Sequence, residues 1–263
     1  MSRPTGKRQW LCPRSPAKRA AVKHAVFFDL DGTLTDYQAL VNHVLAELSS
    51  RVEAHTGVAA AEFLATYMQV QAFDEAQERA GLISVVTVRD RKRRFGAALR
   101  KHGIADENFT EELAHGYAEA RRANSFPMLG ATATLTMLKD AGVWVGIVTE
   151  GSGREQRGQI GKLGWSPLID DLVISEEAGV HKPEPALVGL ALLHSQANAK
   201  NTVFVGDRTL WDLAPAKSLG MTTVLMDVGL YPEEAAKAPE CIDHRVHNHG
   251  ELQGWLRNWL AKR

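Results

Sequence analysis

The sequence predicts an α/β fold in which a doubly wound parallel sheet of the Rossmann-like type carries an inserted α-helical unit. Five short runs are continuously apolar instead of alternating, which is typical of parallel strands covered on both faces. Helical patterns separate the last four runs, so the chain favours right-handed βαβ units. About a hundred residues after the first run have almost no strand signal apart from residues 83–88, which indicates a helical insertion there.

The predicted strands and helices alternate along the rest of the chain. The predicted strands span residues 25–29, 143–149, 172–175, 202–207 and 222–227. The helical patterns cover residues 131–141, 153–163, 184–196 and 211–219, and a glycine directly follows three of them, as is common where helices end. Near the end of the chain, apolar residues at helical spacing predict a helix that packs on the sheet layer: Leu252, Trp255, Leu256, Trp259 and Leu260.

The chain divides into three predicted regions. We expect a disordered basic tail at residues 1–23, an α/β core domain formed by residues 24–36 and 126–263, and a helical cap domain at residues 37–125. The first 24 positions hold seven Lys and Arg residues and no acidic residue, so a transit peptide and an RNA-binding arm stay open as alternatives. An insertion after the first strand emerges at the strands' carboxyl ends, where open α/β sheets bind ligands.

The overall composition argues against several functional classes. The formal net charge is +0, so the global charge favours neither a nucleic acid nor an anionic membrane as a partner. No apolar run approaches the roughly 18–20 residues that span a bilayer. The two cysteines, Cys12 and Cys241, lie far apart and form no zinc-ligand spacing, which favours a reducing, cytoplasmic location. We expect a monomer or a homodimer.

Charged and hydroxyl side chains follow the predicted strands at the points where the strands end. Because the carboxyl ends of parallel strands meet at one edge of a sheet, we expect these side chains to converge. They are Asp29 and Asp31 after the first strand, Thr149 and Glu150 after the second, Lys182 after the third, and Asp207 and Asp212 after the fourth.

This set of side chains suits a phosphate ester bound together with a divalent cation. Asp29, Asp207 and Asp212 offer hard oxygen donors of the kind that Mg²⁺ prefers. Lys182 adds a positive charge at the phosphate. The hydroxyl of Thr149 and the backbone N–H groups after it can donate hydrogen bonds to the phosphate oxygens.

Two carboxylates that lie one residue apart repel each other, so the pair at the end of the first strand needs a chemical reason. Metal ligation, covalent catalysis and proton transfer are the three roles that fit. Asp29 can attack phosphorus, and Asp31 can give a proton to the leaving alcohol and later take one from water. Gly32 permits the sharp turn that would bring both carboxylates to the substrate.

Four motifs, taken in order, resemble the haloacid dehalogenase-like superfamily, in the phosphatase branch with a helical cap after the first strand. The family pattern is an apolar strand followed by DxDGT, a strand ending in Thr or Ser, a Lys before Pro, and an acidic GD motif. Over about residues 24–230 this chain has Asp29-Leu-Asp-Gly-Thr33, Thr149, Lys182-Pro183, and Gly206-Asp207 with Asp212.

The resemblance implies catalytic and metal-binding roles for four aspartates. It implies that Asp29 is the nucleophile and a Mg²⁺ ligand. It implies that Asp31 is the acid/base and ligates Mg²⁺ through its backbone carbonyl. Asp207 would be the acidic metal ligand, and Asp212 would support the metal site.

The resemblance also implies a phosphate-binding set, within which the chain departs from the family pattern. Thr149 and Lys182 would bind phosphate. Glu150 stands where relatives often have Asn; we include it among the substrate-binding residues, although an acid there is unexpected unless it faces away or meets a cap arginine. Arg208 stands where relatives commonly have a small hydroxyl residue.

The resulting expectation is a Mg²⁺-dependent phosphatase that hydrolyses a small phosphorylated metabolite through an aspartyl-phosphate. A sugar phosphomutase and a catalytically idle binding protein on the same scaffold are the alternatives. Dehalogenation is disfavoured because Asp31 would then be superfluous. A basic run in the cap is expected to be a solvated helix face, or else to supply one or two side chains that read an anionic substrate: Arg89, Arg91, Lys92, Arg93 and Arg94, followed by Arg100 and Lys101.

Overall fold

The computed structural model of the chain describes residues 24–84, 87 and 90–262. The predicted basic tail at residues 1–23, including Cys12, lies outside the described residues. Arg89 and half of the weak strand signal at residues 83–88 also lie outside them.

The core is one parallel six-stranded sheet, which confirms the predicted fold class. Its strands follow the order β3-β2-β1-β4-β5-β6, so the chain winds outward from β1 in both directions. The strands are β1 (Ala25–Phe28), β2 (Trp144–Thr149), β3 (Asp171–Ile174), β4 (Thr202–Gly206), β5 (Thr222–Met226) and β6 (His244–Val246). The edge strand β6 was not predicted from the sequence, because it is three residues long and contains two polar residues.

Between residues 37 and 123, the described part of the chain is largely helical. Its helices are α1 (Tyr37–Thr56), α2 (Ala60–Arg79), α3 (Arg91–Lys101) and α4 (Glu107–Ala123). Three of these helices have an aspartate as N-cap, at Asp36, Asp90 and Asp106. Each carboxylate accepts a hydrogen bond from the backbone N–H three residues later, at 2.8, 3.0 and 2.9 Å. The four helices share a hydrophobic cluster of their own. The boundaries of the cap as a domain stay a prediction.

Helices cover both faces of the sheet. The elements after the cap are α5 (Ala131–Asp140), α6 (Gly153–Lys162), α7 (Ser175–Ala178), α8 (Pro185–Ser195), a π-helical turn at Thr209–Leu213, α9 (Ala214–Ser218), α10 (Pro232–Lys237) and α11 (His249–Ala261). Alternate residues of β1 point to opposite faces. Val26 and Phe28 pack with residues of α5, α6 and α11, whereas Ala25 and Phe27 pack with residues of α8 and α9.

The strand register aligns the carboxyl ends of the central strands. Phe28 of β1 lies opposite Ile147 of β2 and Val205 of β4. The backbone N–H of Asp29 continues the ladder and donates to the carbonyl of Val205 at 2.9 Å. The residues that follow these three strands therefore emerge at one level of one sheet edge. Within the part of the chain that the structure covers, no helix is both long and apolar enough to cross a membrane.

Candidate active site

Three buried carboxylates converge at the carboxyl edge of the sheet. Asp29 follows β1, Asp207 follows β4, and Asp212 lies on the π-helical turn after β4. One carboxylate oxygen from each lies within 4.8 Å of the others. The three residues are 7%, 7% and 2% exposed, so little solvent reaches the charges.

Lys182 lies between two of these carboxylates. Its Nζ donates to Asp29 Oδ1 and to Asp212 Oδ1, both at 2.6 Å, and the residue is only 4% exposed. Three carboxylates with one ammonium leave an excess of two negative charges when every group is ionised. Such an excess is costly in a buried site, so the arrangement favours additional positive charge.

The pKa values of the buried groups report this excess of negative charge. Burial, only partly opposed by Lys182, raises the pKa of Asp29 to about 7. Burial, together with the charges of Asp29 and Asp212, raises the pKa of Asp207 to about 9. Burial alone would lower the pKa of Lys182, but the carboxylates of Asp212 and Asp29 outweigh burial and hold it above its usual range. The lysine therefore stays charged at neutral pH.

Two glycines allow the carboxylates to approach the backbone so closely. Gly32 has a φ of +95°, and a Cβ there would lie 2.3 Å from Asp207 Oδ2. A Cβ on Gly206 would lie 2.5 Å from the Cβ of Asp212. Both distances are too short for non-bonded atoms, so the site requires glycine at both positions.

Asp31 lies outside the carboxylate triad and is held in a separate network. Its Oδ1 accepts from Thr35 Oγ1 at 2.9 Å and from Gln159 Nε2 at 3.3 Å. Its Oδ2 accepts from Gln156 Nε2 at 3.2 Å. Gln159 also donates to Gln156 Oε1 at 2.9 Å. Asp31 is thus not among the carboxylates whose oxygens lie within 4.8 Å of one another, although its charge contributes to the raised pKa of Asp29.

The two glutamines that hold Asp31 were not predicted from the sequence. Gln156 and Gln159 are spaced i, i+3 on the first turns of α6, which begins directly after the loop that follows Thr149. Residues at this spacing share one helix face. A pair of amides on the first turns of a helix beside a predicted site is a signal that the sequence did contain.

The loop after β2 is tied to α7 through its backbone N–H groups. Thr149 is 1% exposed, and its hydroxyl donates to the carbonyl of Glu150 at 3.2 Å. The N–H of Gly151 donates to Ser175 Oγ at 3.1 Å, and the N–H of Gly153 donates to Glu176 Oε2 at 2.8 Å. These two N–H groups, expected from the sequence to face a phosphate, are thus bound within the protein.

The side chain of Glu150 braces the loop that carries Lys182. Its Oε1 accepts from the backbone N–H of Lys182 at 2.7 Å. Its Oε2 accepts from Ser175 Oγ at 3.2 Å and lies 3.1 Å from His181 Nδ1. A substrate-binding role for Glu150 stays a prediction, while these contacts give the carboxylate a positioning role.

Arg208 and the cap arginines lie in defined environments. Arg208 contacts Glu234, and its guanidinium carbon lies 4.8 Å from the ring centroid of Trp211 and 4.6 Å from that of Tyr231. Arg94 was expected on a solvated helix face but is 2% exposed. Its Nη1 donates to Gln71 Oε1 at 3.0 Å, and its Nε lies 3.5 Å from Asp74 Oδ2. That expectation was wrong for this residue.

Arg91, in the same helix α3, is turned toward aromatic side chains. Its Nη1 donates to the hydroxyl of Tyr67 at 3.4 Å, and its guanidinium carbon lies 4.7 Å from the ring centroid of Tyr117. These contacts join α3 to α2 and α4.

The donor set of the triad fits Mg²⁺. The converging atoms are all carboxylate oxygens, which hard divalent cations prefer. A divalent cation would also balance the excess negative charge that one lysine leaves. Sulfur and imidazole donors, which would favour zinc or copper, are absent from the metal-ligand group that the described residues form.

Comparisons with known proteins agree with this geometry. A family model described as haloacid dehalogenase-like hydrolase matches residues 23–220. Glyceraldehyde 3-phosphate phosphatase from Methanocaldococcus jannaschii is 35% identical over 125 residues, which cover 48% of this chain and 54% of that protein. Ribulose-1,5-bisphosphate 5-phosphatase from Halopiger xanaduensis is 28% identical over 238 residues, which cover 87% of this chain and 97% of that protein.

The matches cover different shares of the related proteins. The chain spans about half the length of the first of these relatives and almost the whole of the second. Among solved structures, the HAD-hydrolase YfnB from Bacillus subtilis, solved bound to magnesium, matches with a TM-score of 0.72 and 22% identity. That match covers 89% of this chain and 98% of YfnB, and at this identity it shows a common fold.

Proposed function

The chain belongs to the haloacid dehalogenase-like hydrolase family, and we propose that it is a Mg²⁺-dependent phosphatase that hydrolyses a small phosphomonoester through an aspartyl-phosphate. The observation that carries the proposal is the buried cluster in which Asp29 lies within reach of Asp207, Asp212 and the ammonium of Lys182. A carboxylate so placed can act as a nucleophile on a dianionic phosphate only when cations offset the repulsion.

The substrate class is suggested by the two curated relatives. One is named for a three-carbon phosphorylated aldehyde and the other for a bisphosphorylated pentulose. We extend to this chain only what these compounds share, which is a small polar carbon skeleton with at least one phosphate monoester.

In the proposed first step, Asp29 forms a bond to phosphorus. An oxygen of the Asp29 carboxylate attacks in line as the bond between phosphorus and the alcohol oxygen breaks. Asp31 gives a proton to the departing alcohol. Lys182 and Thr149 would hold the phosphoryl oxygens, since the ammonium is fixed 2.6 Å from Asp29 and the hydroxyl lies at the end of the adjacent strand.

In the proposed second step, water cleaves the aspartyl-phosphate. The water attacks phosphorus while Asp31 takes a proton from it. The bond between phosphorus and Asp29 breaks, and inorganic phosphate leaves. Thr35, Gln156 and Gln159 contact the carboxyl of Asp31 at 2.9–3.3 Å and would orient it in both steps.

The metal would be held by Asp29, Asp207 and the backbone carbonyl of Asp31, with Asp212 in support. When bound, Mg²⁺ supplies positive charge that offsets the repulsion between the carboxylates and the phosphate dianion. Ionised Asp29 is the reactive form of the nucleophile, and the same positive charge favours it over the protonated form that burial promotes.

The experiment is an assay of phosphate release from p-nitrophenyl phosphate, with Mg²⁺ and with EDTA. We expect turnover with Mg²⁺, loss with EDTA, and a loss of at least about 1000-fold for Asp29→Asn. The matched control is Asp227→Asn, because Asp227 also follows a strand at this edge but contacts Arg245. Turnover that persists in Asp29→Asn would contradict the nucleophile, turnover in EDTA would contradict the metal, and transfer without free phosphate would favour a phosphomutase.

A further inference from the structure

A basic cavity lies between the last cap helix and the first helix after β2. Its volume is about 370 Å³, and it is separate from the carboxylate triad. We call it the α4–α6 cavity. Arg121 and Arg122 belong to α4, while Arg154 and Lys162 belong to α6; all four line the cavity, and Glu155 is the acidic residue that lines it with them.

The four cationic side chains of the cavity have no acidic partner within the described residues. This distinguishes them from their neighbour Arg157, whose Nη2 lies 2.5 Å from Glu177 Oε2. Arg121 is half-buried, with its guanidinium carbon 5.2 Å from the ring centroid of Tyr37. Its Nε is buried and finds no acceptor among the described residues. Because so buried an atom cannot be reached from the cavity, a ligand there would contact the rest of the guanidinium.

The charge distribution indicates which ligand fits. Two cations from α4 and two cations from α6 line a space large enough for a small molecule. Like charges that face each other across an interface repel, and an anion between them turns the repulsion into attraction. Arginine guanidiniums bind phosphate and carboxylate oxygens in pairs, which suits an oxyanion in particular.

We propose that the α4–α6 cavity binds an oxyanion, a phosphate or carboxylate group, through Arg121, Arg122, Arg154 and Lys162. The bound anion links the cap to the core, because it contacts cations from both. It also adjoins the network that holds Asp31, since Gln159 lines the cavity and donates to Asp31 Oδ1 at 3.3 Å.

The bound oxyanion group can come from either of two sources. It is either a second anionic group on the substrate or a separate small anion. The first source rests on the proposed phosphatase function, whereas the second does not. The test therefore has one arm that measures binding without turnover and one arm that measures substrate preference.

The binding arm is titration calorimetry with sulfate at low ionic strength, on the full chain with Mg²⁺. The double variant Arg122→Gln/Arg154→Gln is compared with the wild type and with Arg257→Gln, which removes one exposed arginine from α11. Because Arg122 and Arg154 are exposed, both replacements leave the packing intact, and melting curves check this. We expect the Kd for sulfate to rise at least about 10-fold in the double variant and to stay unchanged in the control.

The substrate arm compares 3-phosphoglycerate with glycerol 3-phosphate, which differ by a carboxylate in place of a hydroxymethyl group. If the anion belongs to the substrate, the double variant lowers the ratio of the two kcat/KM values by about 10-fold. If it is a separate anion, the ratio stays constant while sulfate binding weakens.

Either result supports the proposal. If neither the sulfate Kd nor the ratio differs from the Arg257→Gln control, the proposal is overturned. If the wild type hydrolyses neither compound, no ratio is obtained and the calorimetric arm alone decides the question of the cavity. The assay with p-nitrophenyl phosphate tests the proposed function separately.

Discussion

Lys182→Met is the perturbation that probes the buried charge cluster most directly. It removes an ammonium that lies 2.6 Å from both Asp29 Oδ1 and Asp212 Oδ1, and leaves side-chain volume largely unchanged. Removal of one partner from a buried ion pair costs about 3–5 kcal/mol of unfolding free energy. We expect a loss of this size in metal-free protein at pH 7.

The loss of stability in Lys182→Met also depends on pH. The variant can relieve repulsion by keeping one further carboxyl group protonated. From the ordinary aspartate pKa of 3.8, this costs about 4 kcal/mol at pH 7 and about 2 kcal/mol at pH 5, at about 1.4 kcal/mol per pH unit. Because such a carboxyl has a higher pKa when folded than when unfolded, the cost vanishes below pH 3.8 and grows as the pH rises.

The assay is urea unfolding in EDTA at pH 7 and at pH 5. Lys139→Met is the matched control, because Lys139 Nζ lies 2.7 Å from Asp170 Oδ1 but its side chain is 36% exposed. A partly exposed pair of this kind contributes about 0–1 kcal/mol. Equal losses of unfolding free energy in the two variants would contradict a stabilising role for the buried ammonium of Lys182. The same conclusion would follow from a loss in Lys182→Met that is equal at both pH values.

Three further predictions concern the same edge of the sheet. Gly32→Ala lowers the free energy of unfolding, measured by urea titration, by more than about 2 kcal/mol, because the new Cβ would lie 2.3 Å from Asp207 Oδ2. The control is Gly164→Ala, which has a φ of +69° but open space around it and should lose only about 1 kcal/mol. The metal-free wild type loses stability as the pH rises from 5 to 8, because folding raises the pKa of Asp29 to about 7 and that of Asp207 to about 9. Saturating Mg²⁺ should flatten the slope of Tm against pH. Glu150→Gln lowers kcat/KM for p-nitrophenyl phosphate by about 10-fold, since the carboxylate of Glu150 positions the loop that carries Lys182. A loss of about 1000-fold would instead favour direct participation of Glu150 in the reaction.

The sheet was predictable because its strands carry a strong and uniform signal. The run at Ala25–Phe28 is fully buried, and the three strands that pair at the centre of the sheet are as apolar as expected. The positions of Asp29 and Asp207 follow directly, because parallel strands end at one edge. The short edge strand at His244–Val246 gave no such signal.

The contacts that depend on side-chain direction were not predictable. The sequence places Asp31 two residues after Asp29, but contacts with Thr35 and two glutamines of α6 decide where the carboxylate of Asp31 points. Glu150 is likewise directed by Ser175 and Lys182, which follow it by 25 and 32 residues. Long-range hydrogen bonds of this kind leave no periodic trace in a sequence.

The formation of an aspartyl-phosphate is the step on which the proposed function depends. Rapid quenching of the enzyme during turnover of a radiolabelled phosphomonoester, followed by peptide mapping, measures it directly. We predict labelled phosphate on Asp29 in the wild type, with no label and no turnover in Asp29→Asn. Turnover that proceeds with the label on another residue, or that continues in Asp29→Asn, would contradict the proposal.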